Sequence, residues 1–152
     1  MPTARGVLLI GILGLMRSSA SAVTVAVTML ALTGCAGPSS GSASPPPAGA
    51  SASVVLDTYL RALTAGDCAA AHAVAAPTFS KGNGELCGDV KVSAFSLSGD
   101  PATPGSNEVV YSSVLTTEGS SDGTIAPGET VWFYDLKRQG GEWKLVGGGS
   151  GP

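Results

Sequence analysis

The chain is poor in the residues that carry most enzymatic chemistry. Among 152 residues there is one histidine, and there are three cysteines. A structural zinc site needs four ligands at paired spacings, and His72 with Cys35, Cys68 and Cys87 supplies no such set. The Cys-x-x-Cys spacing of a thiol-redox pair is also missing. No metal and no cofactor is therefore expected. Basic residues are outnumbered by acidic ones, which removes the electrostatic foothold for nucleic acid or an anionic lipid surface. Asp122-Gly123 reads as turn chemistry, because the repeated Asp/Asn spacing and closing Glu of a calcium loop are absent. The glycines after Val146 open no helix, so they form no phosphate cradle.

What is present begins with an apolar leader. Arg17 precedes Ala20 to Leu32, an Ala/Val/Thr-rich stretch too short to span a bilayer comfortably, and small residues follow. Leu32-Thr33-Gly34-Cys35 resembles the bacterial lipobox. That resemblance implies a signal peptide over residues 1–34, cleavage before Cys35, and a diacylglyceryl thioether on that cysteine. The protein would then be lipid-anchored on the extracytoplasmic face of the cell membrane, since two acyl chains hold firmly where one does not. Met16 is the more economical initiator, placing Arg17 directly ahead of the apolar run; an uncleaved anchor helix is the competing reading. Loss of Arg5 and Arg17 with the leader leaves six basic against eleven acidic residues, a net charge of −5.

Residues 35–51 are rich in Gly, Ser, Ala and Pro, with Pro45-Pro46-Pro47 at their centre, and read as a flexible tether with a stiff segment. About a hundred residues remain, enough for one modest core. In an oxidising compartment the remaining pair, Cys68 and Cys87, is expected to form a disulfide, with free thiols or a redox or metal site as alternatives.

From Ala52 to Ala65, Val55, Leu56, Tyr59, Leu60 and Leu63 make one apolar helical face, closed by Gly66. Asp67 caps a second helix, Cys68 to Ala76, ended by Pro77. Asp57 and Arg61 are spaced as a solvated i,i+4 pair, and a lone His72 among alanines offers no identifiable acid–base partner. Thr78 to Gly88 reads as a loop. The period then changes to two, and four strands are predicted: Asp89 to Leu97, Glu108 to Thr117, Glu129 to Arg138 and Glu142 to Val146. Gly99 to Ser106 and Glu118 to Gly128 are read as connectors, and residues 147–152 as a loose tail.

Helices followed by a four-stranded antiparallel sheet make an α+β fold over residues 52–146. The stretch Val54-Val55-Leu56-Asp57-Thr58-Tyr59-Leu60-Arg61-Ala62-Leu63-Thr64-Ala65-Gly66-Asp67 resembles the opening of NTF2-like domains. With Trp143-Lys144-Leu145-Val146 it is also similar to small secreted lipoproteins of high-GC Gram-positive bacteria. The resemblance implies a sheet rolled into a cone, with cystatin-like packing as the nearest alternative. Its interior would be lined by Tyr59, Tyr111, Trp132, Tyr134 and Trp143, unless these simply fill the core. No catalytic residue is assigned; Asp57 and Asp89 are the least implausible acids. Three readings stay open: a non-catalytic envelope module contacting a protein or the cell wall, a small-molecule carrier or sensor, and an isomerase- or dehydratase-like enzyme.

Overall fold

The computed structural model describes residues 44–151. The signal segment, Met16, the lipobox with Cys35 and most of the tether lie outside the described residues. Two N-terminal helices pack on a four-stranded antiparallel open sheet.

Helix α1 spans Ala52–Ala65, the bounds its sequence predicts. The Ser51 hydroxyl accepts from the Val54 N–H at one end, and Gly66 turns left-handed at φ 69° at the other, its N–H donating to the Ala62 and Leu63 carbonyls. Its apolar face is buried, while Asp57 and Arg61 pair at 2.6 Å on the exposed side, where such a bond adds little. Helix α2, Cys68–Ala73, starts at the Asp67 cap, whose carboxylate accepts from Ala70 N–H at 3.0 Å. It stops three residues earlier than Pro77 alone requires. Ala76 N–H donates to the Leu145 carbonyl at 2.8 Å and Leu145 N–H to the Val74 carbonyl at 3.3 Å, so this backbone bonds to the sheet instead of continuing the helix.

The strands are β1 (Val90–Gly105), β2 (Glu108–Ser120), β3 (Gly128–Gln139) and β4 (Glu142–Gly149), in spatial order β1-β2-β3-β4. Two sequence expectations are corrected. The connector expected at Gly99 to Ser106 is largely strand: β1 continues to Gly105, and register shifts between Ser98, Ala102 and Gly105 absorb the glycine and proline residues. The tail expected after Val146 also joins the sheet, with Gly147, Gly148 and Gly149 opposite Asp135, Tyr134 and Phe133. The 78–88 loop crosses β4 closely at Gly148, where a Cβ would press on the Trp132 indole and on the Phe133 and Gly84 carbonyls. A Cβ on Gly84, whose φ is 98°, would collide with the Gly148 backbone.

The core lies between α1 and one face of the sheet. Leu56, Tyr59, Leu60, Leu115, Tyr134, Leu136 and Leu145 are fully buried. Tyr59 meets Phe79 and Tyr134 edge-on, with ring centroids 5.8 and 5.4 Å away. A disulfide joins Cys68 to Cys87 and fastens the loop to α2. The end of the predicted tether rests on the domain: Ala50 packs against the core, and Pro45, Pro46 and Pro47 lie near Val74 and Trp143.

On the opposite sheet face, Val114 stands across from Val131 and Ser112 from Phe133. Asp135 shares this face; its Oδ1 is buried without a hydrogen-bond partner, and Oδ2 is 3.8 Å from Lys137 Nζ. Burial pushes its carboxyl pKa up, outweighing the Lys137 charge that lowers it. Because folding raises this pKa, ionisation of Asp135 weakens the fold as pH rises through the folded-state value. Below the ordinary carboxylate range both states are protonated and the effect is gone. Asp135→Asn is therefore expected to stabilise the protein at neutral pH, with the gain shrinking as pH falls. Denaturant midpoints at neutral and acidic pH measure this, and an unchanged or lower midpoint at pH 7 contradicts it.

Candidate functional site

A groove of about 520 Å³ opens beside the sheet. One wall is the loop carrying Lys81, Asn83, Glu85 and Leu86, the other is the β2–β3 connection with Ser120, Asp122, Thr124 and Ile125, and Thr130, Trp132 and Gly148 reach it from the sheet.

Each wall is held by side chains bonding to backbone. Asn83 Nδ2 donates to the Thr78 and Val146 carbonyls at 2.9 and 3.1 Å, and its Oδ1 accepts from Ser80 N–H at 2.6 Å. Trp132 Nε1–H donates to the Gly84 carbonyl at 3.3 Å, which fixes the half-buried indole against the loop. On the facing wall Asp122 Oδ1 accepts from the Ser120 hydroxyl at 2.7 Å and from the Thr124 hydroxyl and N–H at 2.7 and 3.1 Å. These bonds, the Ser120 one foremost, hold the Asp122 carboxyl well below the usual carboxylate range, so it stays charged at any physiological pH. Lys81 bonds Asp89 at 2.8 Å, and that bond raises the ammonium pKa.

Glu85 is the least expected member. Its side chain is only 8% exposed; Oε1 accepts from Cys87 N–H at 2.7 Å and faces His72 Nε2 at 3.3 Å. A buried carboxylate therefore joins α2 to the disulfide-bearing loop. Behind it, the Tyr59 and Tyr134 hydroxyls are buried and unpartnered, Tyr59 approaching the Leu86 backbone without reaching hydrogen-bond geometry. Burial raises both phenol pKa values well above the ordinary range, with the Glu85 charge adding to it, so neither ionises to serve as a base.

The five aromatics expected to line one cavity are dispersed. Trp132 borders the groove. Tyr59 and Tyr134 occupy the core, where the cone reading placed a ligand. Tyr111 and Trp143 lie at a separate shallow surface near Ala52 and Val109, the Trp143 ring lying 5.1 Å from the Arg138 guanidinium carbon. Of the two acids considered, Asp57 is turned to solvent and Asp89 is bonded to Lys81 at the groove rim. Sequence reasoning passed over Glu85 and read Asn83 and Asp122 only as loop and turn residues; all three lie in segments read as loop. The only local signal was a charge beside an expected disulfide cysteine, in Glu85-Leu86-Cys87.

The groove thus presents the carboxylates of Asp89, Asp122 and Glu129 against the single ammonium of Lys81, with one indole beside them and the buried Glu85 carboxylate within its wall. Such a surface suits a polar ligand rich in donors or positive charge, stacked or packed against Trp132. Among the described residues, no three His, Cys, Asp or Glu side chains gather as a metal site. No protein-family model matches the chain, and no curated protein or solved structure is significantly similar to it.

Proposed function

We propose that this protein is a lipid-anchored, extracytoplasmic, non-catalytic binding module with an NTF2-like domain, which contacts a cell-envelope partner or cell-wall component through the groove beside Trp132. The groove carries the reading: it is open, its walls are braced by Asn83, Asp122 and the disulfide, and a half-buried indole borders it. The order of helices and antiparallel strands supports the NTF2-like assignment, and the lipobox at Leu32 to Cys35 supports the anchor. The groove's volume also favours a small-ligand variant of this reading, because it lies in the range of sites for small molecules.

Cosedimentation of the exported protein with purified peptidoglycan fragments, in parallel with native mass spectrometry, distinguishes these readings. Retention on the fragments that falls several-fold in Glu129→Lys supports the wall-contacting module, since that charge lines the groove and is exposed. A co-purifying adduct lost on denaturation supports the small-ligand variant. Neither retention nor adduct would overturn the groove as the binding site for either class. Cys35→Ala is expected to move the protein from the membrane to the soluble fraction, and unchanged membrane association would defeat the lipid-anchor assignment.

A further inference from the structure

The two edges of the sheet differ. The β4 edge is closed, because Leu145 exchanges backbone hydrogen bonds with Val74 and Ala76 and the Val146 carbonyl accepts from Asn83. The β1 edge is open: among the described residues its sheet pairing is with β2 alone. Proteins usually blunt such an edge with charge, proline or a bulge. Here Ser93-Ala94-Phe95-Ser96-Leu97-Ser98 contains no charge, proline or glycine, and Ala94 to Ser98 pair regularly with Thr116 to Ser112 between two bulged regions.

We propose that this edge is a self-association surface, on which a second copy of the chain adds antiparallel to β1 about a twofold axis at Ser96. Two observations select that occupant and that register. Phe95 and Leu97 share the core side of the sheet, opposite Leu115 and Ser113; Phe95 is half-buried and Leu97 is 40% exposed. Antiparallel strands that keep the core sides together offer three nearby twofold registers. An axis at Phe95 leaves Leu97 opposite Ser93, and one at Leu97 leaves Phe95 opposite Gly99. Only the axis at Ser96 sets each Phe95 against the other copy's Leu97, and does so twice.

The flanking charges agree with this arrangement. Lys91, with a side chain 73% exposed and bonded only at its tip to Glu118, precedes the segment, and exposed Asp100 follows it. Antiparallel pairing brings Lys91 of one copy toward Asp100 of the other at both ends, whereas parallel pairing would place like charges together. The resulting assembly is one continuous eight-stranded sheet, with main-chain bonds supplying affinity and the Phe95–Leu97 contacts supplying register.

The test uses the full chain, exported and extracted in mild detergent. Ser96→Cys is expected to give a disulfide-linked dimer on a non-reducing gel, whereas Ser93→Cys, which this register sets opposite Gly99, is not. Ser96→Lys places two ammonium groups face to face on the axis and is expected to raise the dimer dissociation constant about tenfold or more, read by light scattering after size exclusion. The residue is exposed, so the fold should survive, and circular dichroism checks that it does. A wild-type monomer at about 100 micromolar, well above the affinity of weak specific dimers, overturns the proposal. So does equal cross-linking of the two cysteine variants. A monomer in which the outward-pointing amides of residues 93–98, those not bonded to β2, also resist hydrogen exchange would mean that another part of the chain covers this edge, and that outcome overturns it as well.

Discussion

Truncating Tyr134 to alanine is expected to destabilise the domain by about 3–5 kcal/mol, the usual cost of deleting a large aromatic from a packed core. Tyr134 is fully buried, stands on β3 opposite Tyr111, and meets the Tyr59 ring edge-on at 5.4 Å. That loss is a large part of the net stability of a domain this size. Tyr134→Phe separates the ring from its hydroxyl. The hydroxyl is buried without a partner, so its removal is expected to be neutral or stabilising, because an unsatisfied polar group costs about 1–3 kcal/mol. Tyr59→Phe should behave alike for the same reason. Urea midpoints of the variants decide the matter: if Tyr134→Phe falls as far as Tyr134→Ala, the hydroxyl and not the ring is what stabilises the core.

Loss of the Cys68–Cys87 disulfide, by a double alanine variant or by reduction, is expected to cost about 3 kcal/mol, the loop-entropy value for a sequence separation of 19. A second consequence follows from where the bond sits. Cys87 closes the segment that carries Lys81, Asn83 and Glu85, and the Cys87 N–H is what Glu85 bonds at 2.7 Å. Without the covalent tie, the groove wall is held to the rest of the domain by noncovalent contacts such as those of Asn83, Trp132 and the His72–Glu85 pair. Stability and peptidoglycan retention should therefore fall together. If reductant lowers the midpoint and leaves retention untouched, the groove wall does not depend on the disulfide; if the midpoint itself is unchanged, the chain-entropy account fails for this domain.

The legible parts of the fold are those where a local signal had no tertiary rival. The apolar face of α1 and Gly66 specify the same helix, and the structure gives it the same bounds. Period-two alternation from Val109 to Leu115 found β2, and the Gly140-Gly141 turn found the β3–β4 hairpin. The misread segments are those where composition pointed one way and a neighbour another. Proline and glycine at 99–105 argue for a loop, yet β2 supplies a partner strand and bulges accommodate them. Glycines 147–149 have weak strand propensity, yet β3 offers an open ladder, and the absence of side chains at Gly84 and Gly148 lets the 78–88 loop cross close to β4. Ala75 and Ala76 are good helix formers drawn instead onto Leu145.

The candidate site was less legible than the fold for the same reason. Glu85, Asn83 and Asp122 lie in segments without periodicity, and each owes its role to backbone groups distant in sequence or to a tight local turn. Five aromatics at strand and helix positions carry no mark of which will be packed and which left at a rim.

By itself, then, the sequence determined the order of helices and antiparallel strands, the cysteine pair, and the acidic character of the surface, because periodicity, capping and charge are properties of neighbouring residues. Tertiary structure alone decided that Tyr59 and Tyr134 fill the core while Trp132 borders a groove, that Glu85 is buried beside His72, and that one sheet edge is closed and the other open. Those outcomes depend on which side chains compete for the same interior space and which backbone groups find partners across the fold, and neither quantity exists until the chain has closed on itself.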